Sequence, residues 1–273
     1  MSNRVLKGLS AGGGFRAIVV EATEAVQGLM DAQLGAQPLS EQRDRVSEIL
    51  GQVGLAAVLV RVEMAPDQRL QLSLRTKDGS CFADSHPDGL LRGVVSGKCP
   101  NFGEQTILQV SRVLEDGQLH QGMVEAETDM TATLTQYMLQ SEQVVATVGL
   151  HVDVEGGVTK SARGFMVQVL PGASREVMEE VIRALEGIEA KWWEQHPDLL
   201  LLDLLGGAGH FTLESEVKFG CTCNQESVLD ALGSLNPSEI QEMIDDGEDL
   251  EMGCQYCGKS YQITLSELDS LMT

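Results

Sequence analysis

The sequence predicts an α+β protein in three parts: an N-terminal, mainly antiparallel sheet domain with helices (residues 1–170), a helical connector (171–218) and a small cysteine-containing domain (219–273). Three observations support this division. Strand-like and helical segments follow one another without the regular βαβ order of a parallel sheet. A Pro-Gly break at residues 171 and 172 separates the last predicted strand from a helical pattern. Four of the six cysteines lie in the last part of the chain.

The N-terminal part begins with two predicted strands, 4–9 and 15–20, joined through Gly12-Gly13-Gly14. This triple glycine lacks the G-x-G-x-x-G and G-K-[ST] patterns of phosphate-binding loops, so we interpret it as a turn. Leu70, Leu72 and Leu74 alternate with polar residues, which indicates a strand that faces a core on one side. The remaining patterns predict helices at 21–33, 40–60 and 129–139, strands at 90–95, 105–113, 118–125, 144–154 and 162–170, and a hairpin turn at Glu115-Asp116-Gly117.

The connector begins with a helical pattern in which apolar residues recur every three or four positions from Val177 to Ile188. Ser174 is the expected N-cap of this helix, which we expect to end in Trp192-Trp193. A leucine-rich run at 199–205 follows, and then a polar, glycine-bearing segment from Gly206 to Lys218 leads to the cysteines.

Charge limits the partners of the protein. The chain carries 19 Lys and Arg residues against 41 Asp and Glu residues, a formal net charge of −22. Nucleic-acid binding needs clustered basic residues to neutralise phosphates, and an anionic lipid surface attracts basic segments. No stretch reaches the roughly 18 apolar residues of a membrane span, and glycines and Arg16 interrupt any signal-peptide core. We expect a cytoplasmic protein that binds neither nucleic acid nor membrane.

Four cysteines have the spacing of a metal site. Cys221 and Cys223 form a C-x-C pair, and after 30 residues Cys254 and Cys257 form a C-x-x-C pair. In an extended segment residues i and i+2 point to the same side, so the first two thiols can reach one ion. No histidine is close to them in sequence, and four thiolates complete the tetrahedral shell of zinc. The pattern predicts one structural zinc ion.

The small domain depends on this ion for its folding. About 55 residues with few large apolar side chains make a marginal core, so zinc binding should supply folding free energy. Helix starts are predicted at Asn236-Pro237 and at Thr264, and the acidic run between them is interpreted as a solvated face. Zinc-bound cysteines are thiolates, the form that oxidants attack. Oxidation would therefore release the metal, and the site would act as a redox switch.

Three other interpretations of the cysteines stay open on the residues alone. They are a structural zinc site in a protein of another function, a zinc-ribbon binding module, and a zinc-stapled thiol oxidoreductase. The net charge disfavours a nucleic-acid ribbon, and the C-terminal C-x-x-C lies far from any βαβ pattern. Cys81 and Cys99 are interpreted as buried or half-buried thiols. No set of catalytic residues stands out, so we expect no enzyme.

The two cysteine pairs, with Ser238-Glu239-Ile240-Gln241-Glu242-Met243-Ile244 between them, resemble the family of redox-regulated molecular chaperones known as the 33 kDa chaperonin. The segment 164–172, GFMVQVLPG, is similar to the end of that family's core domain, and Ser141-Glu142-Gln143 to the start of one of its strands. The resemblance covers the whole chain in order and is most specific over the last 110 or so residues.

This resemblance implies an ATP-independent holdase of the oxidative stress response that is inactive when reduced and zinc-bound. Oxidation would pair Cys221 with Cys223 and Cys254 with Cys257, release zinc, and loosen the connector. Apolar surface would then capture unfolding client proteins, with the chaperone acting as a homodimer. A disulfide between residues i and i+2 is near the geometric limit, so we expect it to be easily reduced. Our candidates for the client-binding surface are Trp192, Trp193, Leu199, Leu200, Leu202 and Leu205.

Overall fold

The structure is a computed structural model that describes residues 3–98, 102, 105–114 and 118–272. The chain divides into two compact units, Met1–Phe219 and Gly220–Thr273. The first unit groups residues 171–218 with the sheets, so their separate role as a connector stays a prediction.

The strands of the first unit form two sheets. The strands are β1 (Arg4–Ser10), β2 (Phe15–Glu21), β3 (Arg69–Arg75), β4 (Gly79–Ser85), β5 (Leu90–Gly97), β6 (Ile107–Val113), β7 (Leu119–Glu125), β8 (Ala146–Glu155), β9 (Val158–Val169), β10 (Gly209–Glu216) and β11 (Lys218–Phe219). The first sheet has the order β10-β1-β2-β9-β8 and the second β11-β5-β4-β3-β6-β7. Neighbouring strands are antiparallel except for the short parallel pair β11 and β5. The predicted α+β class with mainly antiparallel sheets is confirmed.

The helices of the first unit cover the sheets. They are α1 (Thr23–Leu34), α2 (Glu41–Arg61), α3 (Met130–Gln140), α4 (Arg175–Glu186) and α5 (Pro197–Leu204), with a 3₁₀ turn at Trp192–Glu194. Ser40 caps α2 by accepting a hydrogen bond from the amide of Arg43 (3.2 Å), and Asp129 caps α3 through the amide of Ala132 (2.8 Å). Both helices therefore begin where short polar side chains can satisfy free backbone N–H groups.

Helix α2 lies between the two sheets, which explains its high apolar content. A Cβ on Gly51 would lie 3.0 Å from Val152 of the first sheet, and a Cβ on Gly54 would lie 3.3 Å from Leu91 of the second. The main core cluster accordingly contains buried residues of both sheets and of α1, α2 and α3. These two glycines let the helix approach both sheets closely.

The first sheet is covered on its other face as well. There Phe15, Val19 and Phe165 form a second buried cluster with Val181 of α4 and the leucines of α5. Strand β2 therefore has core on both faces, and six of its seven residues are buried. This explains why its sequence is a continuous apolar run rather than an alternating one.

The structure corrects two details of the connector. Ser174 is at the N-cap position, but α4 ends at Glu186, with Gly187 as C-cap, and does not reach Trp192 and Trp193. The polar segment after Gly206 contains strand β10, which pairs with β1. Its side chains are almost all exposed, so it has no apolar pattern that would predict a strand. The predicted turn at 115–117 lies outside the described residues.

The second unit is a short hairpin with three helices. Strands β12 (Leu250–Gly253) and β13 (Ser260–Ile263) are antiparallel, and the helices are α6 (Gln225–Gly233), α7 (Pro237–Asp245) and α8 (Leu265–Ser270). The predicted starts of α7 and α8 are confirmed. Thr264 forms a capping box with Glu267, and at the start of α7 the amide of Asn236 donates to the carboxylate of Glu239 (2.9 Å). Helix α6 was not predicted from the sequence.

The buried carboxylate of Asp84 is a testable feature of the first unit. It is fully buried and contacts Arg69 Nε (2.6 Å), Arg92 Nε (2.9 Å) and His86 Nε2 (3.1 Å). Burial raises the pKa of Asp84, but hydrogen bonds from His86 and Arg69 outweigh burial, so its pKa lies below the usual value. The ionised carboxylate therefore stabilises the fold above its unfolded-state pKa, and this contribution is lost as pH falls through the lower folded-state pKa.

We expect Asp84→Ala to lower the free energy of unfolding by about 3–5 kcal/mol, because it leaves buried cations without their partner. Urea unfolding at neutral pH measures this, and the difference from the unmodified chain should shrink in acid. The matched control is Asp78→Ala in the exposed β3–β4 turn, which should change stability by less than about 0.5 kcal/mol. An equal loss in both variants would contradict a special role for Asp84.

Candidate metal centre

The structure brings the four predicted cysteines together in the second unit. Cys221 and Cys223 lie in the segment between β11 and α6, and Cys254 and Cys257 lie in the turn between β12 and β13. Their four Sγ atoms all lie within 4.8 Å of one another. Among the described residues, these four cysteines form the group that could hold a metal ion. No His, Asp or Glu of the described residues belongs to this group. The sequence spacing thus identified the members of the cluster.

A helix cap fixes the chain directly after the first cysteine pair. The side chain of Asn224 accepts a hydrogen bond from the amide of Ser227 (2.7 Å), and the amide of Asn224 donates to Ser227 Oγ (3.0 Å). Both ends of this capping box are satisfied, so α6 begins at a defined residue. Cys223 is therefore anchored one residue before a helix.

The second pair is held at the end of the β12–β13 hairpin. The amide of Cys254 donates to the carbonyl of Lys259 (2.9 Å), and the amide of Gly258 donates back to the carbonyl of Cys254 (2.8 Å). Gly258 has φ +72°, a left-handed conformation that glycine adopts without steric cost. The tight turn directs both thiols of the C-x-x-C pair to one point.

The distances between the sulfurs fit a tetrahedral ion. Cys221 Sγ lies 3.7 Å from Cys254 Sγ, and Cys223 Sγ lies 3.4 Å from Cys257 Sγ. Zinc–sulfur bonds of about 2.3 Å in a tetrahedron place the sulfurs about 3.8 Å apart. Each short distance joins one cysteine of the first segment to one of the second. An ion at this position would therefore connect two segments that lie far apart in sequence.

The thiols resist ionisation without a cation. Burial, together with the thiols of Cys223 and Cys254, raises the pKa of Cys257 to about 12. Burial also raises the pKa of Cys223. Four thiolates so close together would repel one another, and a divalent cation removes this repulsion. A site of four soft sulfur ligands with this geometry fits zinc.

Tyr261 is a further part of the site that sequence reasoning missed. Its hydroxyl donates to the carbonyl of Cys223 (2.9 Å) and lies 3.1 Å from Cys223 Sγ, while Lys259 Nζ lies 5.0 Å from the ring centre. The hydrogen bond with Cys223 raises the pKa of Tyr261. The alternation of Tyr261 and Ile263 on β13 could have indicated two core residues, but not a partner for a cysteine.

The cluster is also part of a small hydrophobic core. Leu232, Tyr261, Ile263 and Leu268 form its buried centre, and Cys223 and Cys254 are among the partly buried side chains against it. A unit with so few buried residues has little hydrophobic stabilisation of its own. Loss of the cysteine contacts should therefore affect the whole unit.

Of the two remaining cysteines, Cys81 is not part of this site. Cys81 is fully buried in the main core of the first unit, where it lies on β4. Cys99 lies outside the described residues.

The candidate client-binding residues do not form one continuous exposed surface in this conformation. Leu200 and Leu205 are each 1% exposed, Leu199 is 56% exposed, and Leu202 is half-buried. Trp192 packs edge-on against Phe165 with ring centres 4.9 Å apart, and Trp193 stacks on His151 at 4.1 Å. Most of these side chains are held against the first sheet, and their role with clients stays a prediction.

These features define an α+β protein with a small unit organised around four thiols. The family model described as Hsp33 protein matches residues 3–264, so the chain belongs to the Hsp33 family. It is 30% identical over 291 residues to the 33 kDa chaperonin of Staphylococcus carnosus (98% of this chain, 97% of the relative). It is 29% identical over 302 residues to that of Thermus thermophilus (98% and 86%). The resemblance to a chaperone family is confirmed.

A solved structure supports the fold independently. The crystal structure of the Thermotoga maritima 33 kDa chaperonin, a heat shock protein 33 homologue, has a TM-score of 0.82 and 23% sequence identity. The match covers 100% of this chain and 98% of that one. None of the helices in the described residues is both long enough and apolar enough to cross a bilayer.

Metal removal tests the centre directly. We expect the reduced chain to bind one zinc ion, and a strong chelator to unfold the second unit while the two sheets of the first unit stay folded. Metal analysis and amide NMR spectra measure both effects. Cys254→Ser should abolish stoichiometric zinc binding, whereas Cys81→Ala, in the first unit, should keep it. If the second unit stays folded without metal, its folding does not depend on zinc binding, which contradicts this prediction.

Tyr261→Phe tests the hydroxyl beside Cys223. Because this change removes the hydrogen bonds to Cys223 and keeps the ring, we expect zinc affinity to fall by about 10-fold. Competition with a chromogenic chelator measures the affinity, and the fold of the second unit is checked by NMR. Tyr137→Phe in the first unit removes a hydroxyl that contacts Glu142 and should leave zinc affinity unchanged.

Proposed function

We propose that this protein is a redox-regulated, ATP-independent holdase that is zinc-bound and inactive when reduced. The observation that carries the proposal is the cluster of four thiols that is both a zinc-compatible site and part of a marginal core. Membership of the Hsp33 family and curated relatives named 33 kDa chaperonin support a chaperone. In this proposal the protein acts by binding other proteins and catalyses no reaction.

Oxidation of the thiolates is the proposed trigger. Each pair, Cys221 with Cys223 and Cys254 with Cys257, loses two electrons to one peroxide molecule and forms one S–S bond. The O–O bond of the peroxide breaks, and its two oxygens take up two protons from solvent and leave as two water molecules. The sulfurs are thiolates only while a cation balances their charge, so conversion of all four to disulfides removes the ligands and releases zinc.

Loss of the cation would unfold the second unit, because its core contains few buried side chains apart from the cysteine contacts. We propose that the connector, residues 171–218, then loosens. Helix α5 buries Leu200, Leu201, Leu204 and Leu205 against the outer face of the first sheet. Detachment of this helix would expose two apolar surfaces at once, one on the helix and one on the sheet.

The proposed partners are unfolded or partly unfolded proteins in the cytoplasm, and the oxidised chaperone is proposed to act as a homodimer. Trp192, Trp193, Leu199, Leu200, Leu202 and Leu205 are the proposed client contacts. Client capture by apolar surface needs no defined sequence in the client, which suits a holdase. A net charge of −22 helps to keep a protein that exposes apolar surface in solution, and it disfavours nucleic acid as a partner.

Light scattering from an aggregating client protein, without ATP, tests the proposal. We expect the reduced, zinc-loaded chain to have little effect, and the chain treated with peroxide at a mildly destabilising temperature to suppress aggregation as zinc leaves. Cys81→Ala should respond as the unmodified chain does, because Cys81 is outside the cluster. Zinc release without suppression of aggregation would reject the switch and leave a structural zinc site.

A further inference from the structure

A cavity of about 380 Å³ lies in the first unit, away from the cysteines. Its walls come from β1, the end of α2, the loop between β4 and β5, and β10. Apolar side chains such as Val5, Val58 and Val62 make up much of the lining. This size and composition are those of a site for a small, largely apolar molecule.

The loop between β4 and β5 closes one side of the cavity in a defined way. Gly89 has φ +81°, and a Cβ at this position would lie 2.2 Å from the carbonyl oxygen of Glu216. The amide of Lys218 donates to the carbonyl of Gly89 (2.9 Å). The loop therefore reaches the end of β10 only because residue 89 is glycine, and the wall is a fixed part of the fold.

Arg61, the last residue of α2, is the unusual group in the lining. It is 8% exposed, its Nη2 donates to the carbonyl of Pro66 (2.5 Å), and its Nε has no hydrogen-bond partner among the described residues. Burial lowers the pKa of Arg61, and the charges of Asp67 and Asp88 oppose this effect.

The environment of Arg61 differs from that of other arginines in the same unit. Arg69 and Arg92 contact the carboxylate of Asp84 at 2.6 and 2.9 Å, which balances their charge. In the described residues Arg61 forms no such ion pair, and its guanidinium donates to a neutral carbonyl, that of Pro66. Among the described residues no carboxylate lies at ion-pair distance from this buried guanidinium, so an anion in the cavity would give it a charged hydrogen-bond partner.

The remaining polar groups limit which anion fits. Asp88 and Glu216 also line the cavity, and their repulsion of an anion grows with its charge, so they disfavour phosphate more than a single carboxylate. A single carboxylate needs one guanidinium and matches its planar geometry. The apolar walls require that the carboxylate be attached to a hydrocarbon body.

We infer that this cavity binds a small branched aliphatic carboxylate, with its carboxylate on Arg61 and its hydrocarbon chain against Val5, Val58 and Val62. Two sources have this chemistry. One is a free short-chain fatty acid. The other is a branched-chain amino acid, whose ammonium group Asp88 and Glu216 would balance.

Calorimetric titration of the full-length, reduced and zinc-loaded chain tests the inference, with 4-methylpentanoate, leucine and inorganic phosphate as probes. We expect saturable binding of one of the two carboxylates with a Kd of about 1 mM or below. Tighter binding of leucine identifies the amino acid, and tighter binding of 4-methylpentanoate identifies the fatty acid. Absence of saturable binding for both, or equal binding of phosphate, overturns the inference.

Matched variants connect binding to the cavity. Arg61→Met should weaken binding by at least about tenfold, because it removes the charged hydrogen-bond donor. The control is Arg43→Met: Arg43 is on the same helix, is also 8% exposed with an unpartnered Nε, and does not line this cavity. Equal binding by both variants rejects the assignment of Arg61.

A second variant covers the case in which Arg61→Met does not fold. Ser215 lies on β10 at the cavity wall and is half-buried. Ser215→Phe should fill the space and abolish binding while Arg61 stays in place, and circular dichroism checks that the fold is kept. Unchanged binding in this variant would place the ligand elsewhere and overturn the inference.

Discussion

Charge neutralisation at four sulfur atoms is the constraint on which the second unit depends. Two segments separated by 30 residues in the sequence place their thiols within 4.8 Å of one another. Four thiolates at this spacing are unstable unless a cation lies between them. Two of these side chains, Cys223 and Cys254, also pack against the core around Ile263 and Leu268, so a change in the positions of the ligands would also change the packing of the core. In the proposed function, oxidation at these sulfurs would therefore change the folding of the second unit.

The first unit has the opposite character. Its two sheets enclose α2, and its main core contains many fully buried side chains from both sheets and three helices. The four clustered cysteines are not part of this core, so we expect oxidation at those cysteines to leave it folded. In the proposed function, the part that changes is the outer cover of the first sheet, where α5 buries its leucines. A stable sheet whose covering helix detaches only after oxidation would give a chaperone an apolar surface that is buried in the reduced state.

Much of the fold could be predicted because burial leaves a pattern in the sequence. Leu70, Leu72 and Leu74 alternate and are all fully buried on β3, and Asn236 and Thr264 occupy the predicted helix caps. Strand β10 was not predicted, since its side chains are almost all exposed and it joins the sheet mainly through backbone pairing with β1. The partners of Tyr261 were equally hidden, because a hydrogen bond between distant residues leaves no local signal.

The sequence by itself determined the chemistry of this protein: four cysteines at fixed spacings, an acidic surface, and the membership of a chaperone family. These depend on residue type and local spacing, which the chain carries directly. Only the tertiary structure decided which atoms meet. It places Tyr261 against Cys223, folds the leucines of 199–205 partly inward, and leaves Arg61 buried beside a cavity without a carboxylate partner among the described residues. Such contacts join residues far apart in sequence, and their geometry exists only once the chain has packed.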